Sequence, residues 1–310
     1  MGFKNRDVIS INDFSKQDIL EVLDTAAEVE KNNQKYREAL KGYILATLFF
    51  EPSTRTRFSF QAAMLRLGGQ FIALSNPKST SSMAKGETLY DTIKMVDGYC
   101  DIIAVRHPEV GSAKVAADAT AKPVINCGDG AHEHPTQTFT DLYTIKKTFG
   151  KIDGLKVGFL GDLKYGRTVH SLASALSYFN PKFYFISPKT LSMPEEHLKE
   201  LRAKNVEYEE DEDLLKVSKQ LDVLYVTRIQ KERFMNPEDY AKVKGIYKLK
   251  ADFLNHAKKD LKILHPLPRV DEIDPELDKY AQSIYFQQAH NGLFVREALL
   301  GMLLGKIYKK

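Results

Sequence analysis

A chain of 310 residues is long enough for about two domains, and 43% hydrophobic with 28% charged residues is the balance of a globular protein with a sizeable core. Lys and Arg total 45 against 41 Asp and Glu, a net of +4 spread along the chain, which is too weak to point to nucleic acid or a membrane surface as partner. No apolar run approaches the ~20 residues of a membrane span and Met1–Ser15 has no apolar signal-peptide core. Cys100 and Cys127 form neither a metal-type cluster nor a disulfide framework, so a cytoplasmic enzyme is the expectation.

Ser15 with Asp18 outlines a capping box, and Ile19, Val22, Leu23, Ala26 and Val29 follow with the period of an amphipathic helix. Tyr43–Phe50 is almost unbroken apolar sequence, as in a strand covered on both faces, and Glu51-Pro52 stops it. Phe58, Ala62, Leu65 and Leu67 then recur at helical spacing, so Ser53 or Thr54 is expected to cap a helix that opens on Arg55, Thr56 and Arg57. A helix start offers unpaired N–H groups and the positive end of the dipole. The hydroxyls and guanidiniums added there suit a compact dianion, most simply a phosphate. A capped helix with two exposed arginines is the structural alternative. The segment is not a P-loop, because it lacks the glycine-rich turn and the Gly-Lys-Ser/Thr end.

Gly68-Gly69 ends that helix, and Phe71–Leu74 is a short strand. Ser75–Ser82 is the most loop-like segment of the chain; running into Lys85-Gly86-Glu87, it reads either as a polar linker or as a mobile lid carrying a cation. Ile102–Val105 is a strand ending at Arg106. Val124–Asn126 is another, followed by Gly128-Asp129-Gly130, His132 and His134, with Pro135 opening a helix to about Phe149. Ser53–Arg57, Arg106, and His134 with Gln137 therefore stand at the carboxyl ends of strands, where open α/β sheets bind ligands. No carboxylate or cysteine set completes a metal site with the two histidines. His134 either caps its helix or serves the anion site.

Gly150–Gly154 is a plausible domain boundary. Lys156–Leu160 then leads into Gly161–Arg167, which looks like the first turn of a dinucleotide-binding fold. The glycines at 158, 161 and 166 do not fit that fingerprint, and the strand Phe183–Ile186 ends in Ser187-Pro188-Lys189 where a ribose-binding acid would stand. No nicotinamide cofactor is expected. Helices are expected from Arg167 to Phe179, over Glu195–Lys204 and over Asp211–Val217, with a short strand at Val206–Glu209. The strand Val223–Val226 ends at Thr227-Arg228-Ile229-Gln230, and Lys262–Leu264 ends at His265–Arg269. Arg167 and Arg228 at neighbouring strand ends suit bidentate binding of carboxylates. Pro266 and Pro268 leave Leu267 with restricted φ and ψ. Ala289–Tyr308 is a closing helix. The fold class is α/β: two doubly wound domains, residues 1–150 and 151–287, each with a mostly parallel sheet flanked by helices. One suits a phosphate-bearing donor, the other a carboxylate-bearing acceptor.

Ser53-Thr54-Arg55-Thr56-Arg57, His134-Pro135-Thr136-Gln137 and His265-Pro266-Leu267-Pro268, in this order across essentially the whole chain, resemble the aspartate/ornithine carbamoyltransferase family. Ornithine-using members usually carry a cysteine where this chain has Pro266, and Gly161–Arg167 with Thr227–Gln230 resemble the aspartate-using branch. The resemblance implies transfer of the carbamoyl group of carbamoyl phosphate to the α-amine of L-aspartate, the committed step of de novo pyrimidine biosynthesis, with no metal and no cofactor. An ornithine carbamoyltransferase, or a carboxylate-binding regulator without need of His134, is the alternative. By resemblance, Arg55, Thr56, Arg106 and His134 are catalytic. Carbamoyl phosphate would be held by these with Ser53, Thr54, Gln137 and the Pro266-Leu267-Pro268 turn. Arg167, Arg228 and Gln230 would hold aspartate, with Ser81 and Lys85 arriving from the neighbouring chain of a homotrimer. Two trimers joined by regulatory chains are a further assembly. The closing helix, about 288–310, would pack back on the first domain.

Overall fold

The computed structural model describes residues 2–75, 85–230, 234 and 236–308. Its contacts divide the chain into two units, Met1–Tyr143 with His290–Lys310, and Thr144–Ala289. No described helix is long and apolar enough to cross a membrane.

In the first unit, β1 (Ile44–Phe49), β2 (Gln70–Ser75), β3 (Ile102–His107) and β4 (Val124–Asp129) form a parallel sheet in the order β2-β1-β3-β4. β2, at the edge, leaves Ile72 exposed, whereas β1 and β3 are mostly apolar because helices cover them. These are α1 (Lys16–Lys31), α2 (Arg55–Arg66), α3 (Leu89–Asp97), α4 (Ser112–Asp118) and α5 (Pro135–Phe149). Ala46, Leu48, Ile103, Val105 and Val124 are buried together with Ala113 and Ala116 of α4. Each enclosed Ile, Leu or Val contributes about 1.5–3 kcal/mol. The capping box forms as read: Ser15 accepts from the Asp18 amide while Asp18 accepts from that of Ser15, and the apolar stripe of α1 is fully buried.

The second unit repeats the plan. β5 (Lys156–Leu160), α6 (Arg167–Leu176), β6 (Lys182–Ile186), α7 (Glu195–Ala203), β7 (Glu207–Asp211), α8 (Leu214–Val217), β8 (Val223–Val226), α9 (Pro237–Val243) and β9 (Lys262–Leu264) follow in sequence. The sheet is parallel, ordered β7-β6-β5-β8-β9. α10 (Tyr285–Leu303) closes the fold. In each sheet the chain starts at a central strand, builds one side, then returns to build the other. The turning points lie between β1 and β3 and between β5 and β8.

Three local readings change. α2 buries Thr56, Phe60, Ala63 and Met64, whereas Phe58 and Leu65 are 55% and 56% exposed; of the apolar spacing chosen from sequence only Leu67, just past the helix, is fully buried. Both faces of α2 are apolar, and periodicity alone cannot say which one meets the sheet. Asp211 ends β7, paired with Ile186, and the helix after it starts only at Leu214, capped by Asp213. The closing helix starts at Tyr285 and stops at Leu303.

Candidate active site

In the first unit Phe49 of β1 is paired with Arg106 of β3. β1 leads through Glu51 and Pro52 to the start of α2, and β4, beside β3, leads through a short loop to His134 and α5. One edge of one sheet thus gathers Ser53, Thr54, Arg55, Thr56, Arg106, His134 and Gln137. Thr54 is the N-cap of α2, but its side chain makes no capping hydrogen bond, so the first-turn N–H groups are not consumed by a hydroxyl.

Thr56 Oγ1 lies 3.5 Å from His134 Nε2, and Thr136 Oγ1 lies 3.4 Å from Nδ1. Both Thr56 and His134 are buried. A hydroxyl can turn to donate or accept, so both ring nitrogens have a hydroxyl partner. Arg106 Nε donates to Glu51 Oε1 at 2.6 Å and Nη1 donates to the Cys127 carbonyl at 3.5 Å. Partial desolvation, then the neighbouring charge of Arg106, hold the Arg55 guanidinium below its usual range. Like charges drawn together favour an anion between them. The loop bearing His134 is fixed by buried Asp129, which accepts from Asn126 Nδ2 at 3.0 Å, the Glu133 amide at 3.1 Å and the Gly111 amide at 3.0 Å. Glu133 in turn accepts from Ser10 Oγ at 2.6 Å and the Ile11 amide at 2.8 Å.

In the second unit Gly161, directly after β5, has φ +118°, and a Cβ there would stand 2.2 Å from the Thr227 carbonyl oxygen. Only glycine lets these strand ends approach so closely. Asp162, fully enclosed, accepts from the Tyr165 amide at 2.9 Å and the Gln230 amide at 3.5 Å, while its own amide donates to Thr227 Oγ1 at 3.1 Å. Gln230 Nε2 donates to the Tyr165 carbonyl at 3.2 Å. The loops after β5 and β8 are therefore stitched together. They carry Arg167, the first residue of α6, and Arg228, whose charge opposes the stronger effect of burial on Asp162.

After β9 the chain enters the proline-flanked turn. Leu267 has φ +55°, not the extended backbone that a residue before proline favours. Its amide donates to His265 Nδ1 at 2.8 Å. An amide can only donate, so Nδ1 carries no proton and Nε2–H points at Glu272 Oε1, 2.7 Å away. Glu272 Oε2 accepts from the Val270 and Asp271 amides at 3.0 and 3.1 Å. Despite burial, the hydrogen bond from His265, helped by the backbone amides, holds the Glu272 carboxyl below its usual range.

The predicted residues thus fall into two groups, one at each turning point and the strand beside it. Lys85 is exposed shortly before α3, and Ser81 lies outside the described residues, as does most of the expected lid. Sequence reading missed Glu51 and Glu272, whose only signal was an acid in the turn beyond a strand end. Among the described residues no group of three or more His, Cys, Asp or Glu side chains is placed to hold a metal ion.

Residues 6–147 match the model of the aspartate/ornithine carbamoyltransferase carbamoyl-P binding domain, and residues 153–303 match that of the Asp/Orn binding domain. The aspartate carbamoyltransferase catalytic subunit of Thermococcus onnurineus is 56% identical, covering 98% of this chain and 99% of the relative. The catalytic subunit of M. jannaschii aspartate transcarbamoylase is 51% identical with a TM-score of 0.90, covering 97% and 98% of the two chains. Aspartate transcarbamoylase from Trypanosoma cruzi in complex with carbamoyl phosphate and aspartate is 36% identical with a TM-score of 0.91, covering 97% and 98%.

Proposed function

The chain belongs to the aspartate/ornithine carbamoyltransferase family, and on that premise we propose that it transfers the carbamoyl group of carbamoyl phosphate to the α-amine of L-aspartate, giving N-carbamoyl-L-aspartate and phosphate. The acceptor is aspartate rather than ornithine. The observation that carries this reading is the convergence of Arg55, Arg106, Thr56 and His134 at the turning point between β1 and β3. Ser53, Thr54, Arg55, Thr56 and Arg106 bind the phosphate. Thr56, Arg106 and His134 point donors at the carbonyl oxygen, and Gln137 with the Leu267-Pro268 turn takes the amide nitrogen. Arg167, Arg228 and Gln230 hold the two carboxylates of aspartate.

The neutral amine attacks the carbamoyl carbon. A C–N bond forms, the C–O bond to phosphate breaks, and the proton shed by nitrogen leaves on the departing phosphate. Negative charge grows on the carbonyl oxygen, where preorganised donors stabilise it; losing one such donor typically costs ~10²–10³ in rate. Holding two anions in attacking geometry supplies much of the rest. The working form is a cytoplasmic homotrimer in which Lys85 and Ser81 of a neighbouring chain complete the site. Exposed Phe58, Leu65, Met95 and Tyr99 support such association.

Kinetics of three variants test the assignment. Arg55→Ala should collapse turnover and carbamoyl phosphate saturation. Arg228→Ala should raise KM for aspartate far more than KM for carbamoyl phosphate. Aspartate kinetics indifferent to both Arg167→Ala and Arg228→Ala would sink the reading.

A further inference from the structure

Helix α5 carries more than the residues that meet substrate. His134, Gln137 and Asp141 follow at spacings of three and four and share a face. Gln137 is half-buried and its Nε2 donates to Asp141 Oδ1 at 2.8 Å. Asp141 is fully enclosed. Across the core lies Arg296 of α10, only 3% exposed, its guanidinium 5.3 Å from the Phe60 ring centroid. Gly292, one turn earlier, makes room for it: a Cβ there would stand 2.2 Å from Arg296 Nη1.

A buried guanidinium needs a counter-charge. Burial lowers Arg296 only to about 10, so it stays protonated at neutral pH. The two groups whose negative charge would favour it are Cys127 and Asp141. Burial pushes the Cys127 thiol up to about 12, so it is neutral. That leaves Asp141 as the acid within electrostatic reach of Arg296. Its Oδ1 accepts from Gln137 Nε2, which turns the Gln137 Oε1 away from it.

We propose that Asp141, backed by Arg296, is a positioning residue that locks the Gln137 amide with its oxygen toward the bound donor, so that the protein selects an acyl phosphate bearing an N–H over one bearing a methyl group. This rests on the proposed function and adds a source for its donor specificity. Without the lock, Gln137 is free to flip and set its own NH₂ against the substrate NH₂. In Asp141→Asn the Arg296 charge draws the new amide's oxygen, leaving its NH₂ to face Gln137 and favouring that flip.

Calorimetric titration of the full chain with stable phosphonates tests this without turnover. Phosphonoacetamide carries the amide, acetonylphosphonate replaces it with a methyl ketone, and inorganic phosphate lacks both. The wild type should prefer phosphonoacetamide. Asp141→Asn should cut that preference roughly tenfold, about one hydrogen bond's worth, with phosphate affinity unchanged. Gln137→Ala should cut it similarly, and Asp141→Asn added to Gln137→Ala should do nothing further. Should Asp141→Asn not fold, Asp141→Leu with Arg296→Met removes both buried charges and should lose the preference equally. A retained preference in either variant, or effects that multiply, overturns the assignment. A wild type with no preference would overturn the carbamoyl reading of Gln137 itself, and this assignment with it.

Discussion

Replacing His265 with alanine removes the pin that holds the turn after β9. Two hydrogen bonds go: that of the Leu267 amide to Nδ1 at 2.8 Å, and that of Nε2–H to the Glu272 carboxylate at 2.7 Å. The neutral bond is worth about 1 kcal/mol and the charge-assisted one about 1.5–3 kcal/mol. Glu272, 6% exposed, keeps its two backbone donors on Oε2 but loses its partner on Oε1, so part of its desolvation is left uncompensated. The left-handed Leu267, at φ +55°, returns part of this on relaxing, about 1–2 kcal/mol. The net expected loss is about 3 kcal/mol. Urea unfolding followed by circular dichroism should show it as a midpoint about 1.5 M lower, at a slope near 2 kcal/mol/M. Glu272→Gln keeps an acceptor for Nε2–H and should cost less, about 1–2 kcal/mol. A His265→Ala midpoint within about 0.3 M of wild type would mean that the turn is held by other contacts, and the tautomer argument would fail.

His134→Ala should lower kcat by about 10²–10³ with little change in carbamoyl phosphate KM, and a chelator should leave the native rate unchanged. Restoration of a chelator-lost rate by a divalent metal would reverse that assignment. Arg66→Met leaves the fully enclosed Glu297 carboxylate without the guanidinium now 2.6 Å away. It should cost about 2 kcal/mol near neutral pH, below the buried-pair range because Arg66 keeps access to water. Burial already raises the Glu297 carboxyl, so the folded state takes up a proton more readily than the unfolded chain. The cost should therefore be greatest above that raised pKa and shrink as pH falls through it; a cost that grows on acidification in urea titrations would contradict the sign. Arg55→Ala and Lys85→Ala, nearly inactive alone, should regain part of the activity when denatured and refolded together, since a mixed ring rebuilds one intact interface. Persistent inactivity, with native protein surviving the same treatment, would rule out a shared site.

The strands were legible because covered parallel strands are continuous apolar runs, as Tyr43–Phe50 and Val223–Val226 are. The candidate site residues stand out for a related reason: polar groups at the ends of such runs lie at the sheet edge, as Arg106 and Arg228 do, while Arg167 opens the helix that follows β5. The supports were not legible. Asp129 reaches Gly111, and His265 is fixed by Glu272, through contacts that depend on how loops fold back. Asp141 did carry a signal, since four residues after Gln137 on one helix is side-chain contact distance. The face of α2 was misread because Phe58 and Leu65 are as apolar as the Phe60 and Met64 that reach the sheet.

The central claim is carbamoyl transfer to aspartate, and product identity tests it most directly. Purified protein would be incubated with ¹³C-carbamoyl phosphate and either L-aspartate or L-ornithine, and the products read by NMR. The account predicts labelled N-carbamoyl-L-aspartate with stoichiometric phosphate, and no citrulline above the uncatalysed background. Labelled citrulline, or phosphate release without a carbamoylated amino acid, would contradict it.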